Sequence, residues 1–205
     1  MVEKVWMITG ASRGLGTEIA KAVLAAGGQL IATARNAQAL DHLGSRENII
    51  AVSMDVTNEA QVKSGVGEGL GRFGRIDVLV NNAGFGLLGA VEETTAAAVE
   101  RIYRTNVFGL LHVTRAVLPT MRRQRSGHII NLSSLGGYRA SAGWGVYCST
   151  KFAVEGLTEA LHDELAPLGI HVTVIEPGFF RTDFMDNRSL NQTEQLIADY
   201  TDEGV

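Results

Sequence analysis

The sequence of 205 residues has a single cysteine, Cys148, and only three prolines. One thiol excludes an internal disulfide and every multi-cysteine zinc motif, and it fits a reducing compartment. Aromatic residues make up 6% of the chain, and no apolar run reaches the roughly 20 residues of a membrane-spanning helix. Positive charge is not in excess. Lys and Arg total 18 against 22 Asp and Glu, and the net charge of −4 argues against a general attraction to nucleic acid or to an anionic membrane. Residues 1–4 lead straight into a short apolar run ending at Thr9, too early and too short for a signal peptide, so a cytoplasmic location is expected. His42, His112, His128, His162 and His171 share no metal-ligand spacing, and no metal is expected. Glycine, by contrast, is abundant. The 24 glycines fall largely between periodic segments, where they mark tight turns and close backbone approaches.

The length suits one sizeable core, so residues 1–205 are expected to form a single domain. Val5-Trp6-Met7-Ile8-Thr9 reads as a strand that runs into Gly10, Gly14 and Gly16, and helical spacing follows at Leu15, Ile19, Ala22, Val23 and Ala26. Further strands are predicted at 29–34, 49–53, 76–81, 128–133 and 171–175. Helical stretches are predicted at 36–43, from Asn58 as cap to Phe73, at 99–125 and at 145–168, with Pro119 expected to kink or end the third of these. Strands alternating with helices imply a doubly wound parallel α/β sheet with helices on both faces, because parallel strands need crossover connections. After Pro177 the pattern fades: residues 179–192 are mixed, and only 193–200 looks helical.

Thr9-Gly10-Ala11-Ser12-Arg13-Gly14-Leu15-Gly16 lies between the first strand and the first helix. Glycines there let the backbone turn sharply and approach a pyrophosphate, whose charge the free N–H groups of a helix N-terminus favour. Tyr147 and Lys151 are four residues apart, so on a helix they share one face and look into one cleft. An ammonium beside a phenol favours phenolate, which predicts a lowered Tyr147 pKa and a tyrosine able to exchange protons with substrate. Ser134 is a candidate hydrogen-bond donor to a substrate oxygen as charge develops there. Phe85, Leu87, Tyr138, Trp144, Phe179, Phe180, Phe184 and Met185 flank these segments, and some of them are candidates to line an apolar substrate pocket.

Together these pieces resemble the single-domain short-chain dehydrogenase/reductase family, NADP-preferring type. The glycine loop matches its TGxxxGxG signature, Asp55-Val56 resembles its adenine-contacting pair, and Asn81-Asn82-Ala83-Gly84 matches NNAG. Asn106, Ser134 and Tyr147-Cys148-Ser149-Thr150-Lys151 match its active-site asparagine, serine and YxxxK motif, and Pro177-Gly178 with Thr182 resembles its cofactor-covering segment. The resemblance spans residues 5–182 and implies a Rossmann-like fold and hydride transfer between NADP(H) and an apolar ketone, aldehyde or secondary alcohol. It implies Tyr147 as general acid and base, Lys151 also on the nicotinamide ribose, and Asn106 holding a water that links the lysine to solvent. It also implies a homodimer or homotetramer. Ala34 stands where NAD-preferring relatives have an acid, and Arg35 and Arg13 offer cations to a 2′-phosphate, so NADP(H) is the expected cofactor. Relatives usually carry a further strand after the point where this sequence stops, so 183–205 is expected to begin a substrate-covering segment. The rival reading is a non-catalytic NADP-binding protein with a redox-sensing or regulatory role.

Overall fold

The computed structural model describes residues 3–178, 189–193 and 196–201. The chain opens with strand β1 (Val5–Ile8), helix α1 (Gly14–Ala25) and strand β2 (Gln29–Ala34), followed by a 3-10 segment (Ala37–Leu43). Strand β3 (Ile49–Ser53), helix α2 (Glu59–Phe73) and strand β4 (Val78–Asn81) come next. α2 starts where predicted because the Asn58 side chain accepts hydrogen bonds from the N–H groups of Ala60 and Gln61. A three-residue strand β5 (Gly86–Leu88) precedes helix α3 (Ala96–Tyr103), a π-helical turn (Arg104–Gly109) and helix α4 (Leu110–Gln124). Strand β6 (Gly127–Leu132), short helix α5 (Leu135–Tyr138), helix α6 (Gly145–Leu165) and strand β7 (Ile170–Ile175) complete the pattern. Strand β8 (Leu190–Gln192) and helix α7 (Ala198–Thr201) lie beyond it.

Six strands form one parallel sheet in the order β3-β2-β1-β4-β6-β7. Side chains alternate between its faces. Val5 and Met7 of β1 join Val62 and Val66 of α2, Val113, Val117 and Met121 of α4, and Leu165 of α6 in one core. Ile8 points the other way, toward Ala20 and Val23 of α1 and Leu40 of the 3-10 segment. The sheet is thus doubly wound. The chain adds β2 and β3 on one side of β1, then crosses back to place β4 on the other, and the crevice above β1 and β4 is where such sheets receive ligands.

Three expectations change. Pro119 neither ends nor divides α4. It lies on the exposed face, where a carbonyl without its donor can be hydrated, while Val113, Val117 and Met121 hold the buried face in place. The second change is the two-stranded parallel sheet of β5 and β8, which pairs Gly86 with Leu190 and Leu88 with Gln192 inside a stretch that reads as mixed. Of the predicted 193–200 helix, only the segment Ala198–Thr201 is helical among the described residues.

Candidate active site

The glycine loop sits at the carboxyl end of β1, against the loop that follows β4. Asn82 joins them: its side-chain amide donates to the carbonyls of Thr9 at 2.8 Å and Gly10 at 3.0 Å. In return the Thr9 hydroxyl accepts from the N–H groups of Asn82 and Ala83, both at 3.0 Å. Two loops brought together by the switch in strand order are therefore locked by four hydrogen bonds. Gly10, at φ +65°, approaches Ala83 so closely that a Cβ would lie 3.1 Å from the Ala83 Cα, and a Cβ on Gly16 would collide with the Gly10 carbonyl oxygen. Gly14, at φ +54°, faces open space instead.

α1 begins at that opening with no side-chain cap and no acidic residue in its first turn. Uncapped N–H groups, the positive end of a twelve-residue helix and the nearby Arg13 guanidinium fit a nucleotide pyrophosphate. Arg13, Leu15, Asn82 and Gly84 line a cavity of about 540 Å³, as do Pro177 and Gly178. The Pro177 carbonyl accepts from Leu135 N–H, tying this segment to the start of α5.

Ser134, Tyr147 and Lys151 line the same cavity. Ser134 caps α5, accepting from Gly136 N–H at 3.1 Å, and its hydroxyl hydrogen-bonds the Tyr147 phenol. Tyr147 and Lys151 both stand on the buried face of α6, as their spacing predicts, with the Lys151 Nζ 5.8 Å from the Tyr147 ring centroid. The ammonium donates to the Leu132 carbonyl at 2.7 Å, at the end of β6. Burial pushes the Lys151 pKa down from 10.5 to about 8, against the pull of Glu155. Burial also raises the Tyr147 phenol above its ordinary 10, outweighing the Ser134 hydrogen bond. This reverses the expected lowering: enclosure of the ring dominates, and the neighbouring cation is turned toward a backbone carbonyl.

Asn106 makes three side-chain hydrogen bonds within the protein. It lies in the π-helical turn, almost fully buried, accepts from Phe85 N–H at 3.1 Å, and donates to the Phe85 carbonyl at 3.0 Å and to the Thr150 hydroxyl at 3.1 Å. Its amide thus fastens the loop after β4 to α6. Asp55 lies at the end of β3 and accepts from the N–H and hydroxyl of Thr57, while the carbonyl of buried Val56 bonds His112. Ser12 is half-buried within the loop, and Arg35 is exposed just past β2, outside the cavity lining. Phe85, Tyr138 and Trp144 line the cavity, whereas Leu87 belongs to the core beneath. Thr182, Phe179, Phe180, Phe184 and Met185 lie outside the described residues.

Sequence reading missed Asn131. Its side chain accepts from Asn81 and donates to Thr158, and Asn81 in turn donates to Thr114, so a buried polar chain links α4, β4, β6 and α6 beneath the site. An asparagine inside the apolar run 128–133 was the available signal.

The chain matches the short chain dehydrogenase family over residues 4–193 and belongs to it. It is 45% identical over 184 residues to oxidoreductase BOA17 of Botryotinia fuckeliana, covering 88% of this chain and 67% of that protein. It is 40% identical over 205 residues to a 3-ketodihydrosphingosine reductase of Bacteroides thetaiotaomicron, covering 98% and 73%. Among solved structures, a short-chain dehydrogenase from Streptomyces avermitilis superposes with a TM-score of 0.92 at 44% identity, over 98% of this chain and 75% of that one. ElxO with NADP bound gives 0.85 at 33%, over 91% and 78%. A 3-ketoacyl-(acyl-carrier-protein) reductase from Brucella melitensis complexed with NADH gives 0.88 at 30%, over 93% and 81%. The protein is therefore an oxidoreductase of a family with solved members that bind NADP or NADH. Among the described residues, no helix is long and apolar enough to cross a membrane.

Proposed function

We propose that the protein transfers hydride between NADP(H) and an apolar ketone, aldehyde or secondary alcohol, with Tyr147 as general acid and base. The observation that carries this reading is the convergence of Ser134, Tyr147 and Lys151 on the cavity that Arg13 and Leu15, at the uncapped start of α1, also line. When bound, the nicotinamide supplies or accepts the hydride. Ser134 holds the substrate oxygen, Tyr147 gives it a proton, and Lys151 places a positive charge behind the phenol. A phenol raised by burial stays protonated at neutral pH, which suits the donor role in carbonyl reduction; alcohol oxidation, which needs the phenolate, then gains as pH rises. Asn106 acts through position, fastening the loop after β4 to α6.

NADP(H) preference is supported by Arg13 on the cavity wall, by exposed Arg35 directly after β2, and by Ala34 where a carboxylate would repel a 2′-phosphate. An apolar substrate is supported by Phe85, Leu135, Tyr138 and Trp144 around the cavity. Assembly as a homodimer or homotetramer through the long helices is supported by Phe108 and Phe152, which are about half exposed at 49% and 48% on the π-helical turn and α6. NADPH turnover against aliphatic, aromatic and steroid-like carbonyls tests the reading. Nucleotide binding with no turnover on any of them favours the non-catalytic alternative.

A further inference from the structure

Glu93, between β5 and α3, is almost fully buried and takes no part in the reaction scheme above. It lies outside the cavity lining, and among the described residues no cation pairs with its carboxylate. Each of its oxygens takes a backbone donor instead. Oε2 accepts from Ala90 N–H, three residues back, at 2.9 Å, which leaves Oε1 for a distant partner, the N–H of Ile197, at 2.8 Å. Further bonds join the same two segments. The Glu93 carbonyl accepts from the Thr193 hydroxyl, the Leu88 carbonyl from Thr193 N–H at 2.9 Å, the Ser189 carbonyl from Gly86 N–H at 2.8 Å, and the Glu92 carboxylate from the Tyr200 hydroxyl at 2.7 Å. Gly89, at φ +151°, makes room for this contact, because a Cβ there would collide with the Thr193 side chain. Both partners reach the cavity. Ser189, buried just before β8, lines it, and Gly89 N–H donates at 2.8 Å to the carbonyl of Gly143, next to cavity-lining Trp144.

We propose that Glu93 is a positioning residue for substrate binding: its carboxylate clamps the segment carrying Ser189, Thr193 and Ile197 to the loop after β5, and so holds Ser189 in the cavity lining. The inference rests on the reading of this cavity as the substrate site. A buried carboxylate is costly without donors, and a hydrogen bond to an ionised acceptor is roughly twice as strong as a neutral one. Ala90 satisfies one oxygen within the loop itself, whether or not the later segment is docked. The other oxygen gains Ile197 only in the docked state, so the charge biases the chain toward docking. Undocking withdraws Ser189 from the cavity and leaves Ser134, Tyr147 and Lys151 where they are. A substrate that needs the docked state therefore binds more weakly in proportion to the undocked fraction, while the chemistry of the docked complex is untouched.

Amide hydrogen exchange and steady-state kinetics on Glu93→Gln test the clamp. Glutamine keeps the shape but turns an amide N–H₂ toward one of the two backbone donors, so one bond is lost. Amides of residues 86–88 and 189–193 should exchange about tenfold faster, with those of β4 and β6 unchanged. KM for the best carbonyl of the panel should rise about tenfold, with kcat within about twofold of wild type and NADPH affinity unchanged. Thr193→Val, which removes the hydroxyl on the Glu93 carbonyl and leaves the carboxylate alone, should shift both readouts the same way by less, and it serves where Glu93→Gln does not fold. Unchanged exchange at 189–193 in the folded variants overturns the clamp, as does exchange raised equally throughout the sheet. Faster exchange confined to the two segments with an unchanged KM overturns the role in substrate binding. Absence of turnover on every carbonyl, in wild type as in the variants, overturns the hydride-transfer reading instead, and the exchange comparison still decides the clamp.

Discussion

Asn82 should matter for stability and for nucleotide binding through the same two hydrogen bonds. Its amide is the donor that holds the carbonyls of Thr9 and Gly10, at 2.8 and 3.0 Å, and the site is half-buried. Removing both bonds in Asn82→Ala costs about 1 kcal/mol for each, or about 2 kcal/mol together. For a protein of this size that lowers the melting temperature by about 4–8 °C. Some of the lost order must then be recovered when a nucleotide docks, and about 1.4 kcal/mol of such reordering weakens NADPH binding tenfold. Asn82→Asp should be worse than Asn82→Ala, because a carboxylate would face two carbonyl oxygens where the amide donated. Thermal denaturation and NADPH fluorescence titration of the two variants give the comparison. Wild-type stability and affinity in Asn82→Ala, or an aspartate variant no worse than alanine, would refute the claim that Asn82 locks the glycine loop.

The Lys151 group titrates near 8 when folded and near 10.5 when free, so between these values the unfolded chain holds more protons and stability rises with pH. Tyr147, raised above 10, acts oppositely at the alkaline end. Lys151→Met should abolish the rise, as measured by urea denaturation at several pH values; an unchanged slope would contradict it. Replacing Arg35 should weaken NADPH binding far more than NADH binding, and adding Ala34→Asp should reverse the preference; equal losses for both nucleotides would place Arg35 outside 2′-phosphate recognition. Asn131→Ala, which breaks the buried chain between Asn81 and Thr158, should destabilise by about 2–3 kcal/mol in chemical denaturation and leave nucleotide affinity nearly unchanged. A stability within experimental error of wild type would show that the chain contributes little.

Much of this architecture is readable before folding because local and global preferences agree. β2 falls at its predicted bounds since a continuous apolar run is what a strand buried on both faces requires, and α2 starts at Asn58 because the side chain itself satisfies two helix-end donors. Ser134, Tyr147 and Lys151 line one cavity, as their order and spacing imply. Other features arise only on packing. The π-helical turn at Asn106 has no local sequence mark; the side chain sits where Phe85 and Thr150, distant in sequence, meet it. β5 and β8 are too short for any periodicity to develop and exist as a pair across about a hundred residues. The direction of the Tyr147 shift depended on how completely the ring is enclosed, which spacing on a helix does not reveal. Pro119 is tolerated because of the face it occupies, a property of the packed helix.

The central claim, that this cavity moves hydride with Tyr147 as the proton carrier, is tested most directly with NADPH deuterated at the nicotinamide 4-position. Wild-type protein and Tyr147→Phe are to be compared against the best carbonyl of the panel, with NADPH affinity measured on the same samples. The account predicts deuterium at the former carbonyl carbon with wild-type protein, and a transfer rate at least about a hundredfold lower in Tyr147→Phe with nucleotide affinity nearly unchanged. Undiminished label transfer in Tyr147→Phe, or NADPH bound by the wild type with no label reaching any carbonyl, would contradict it.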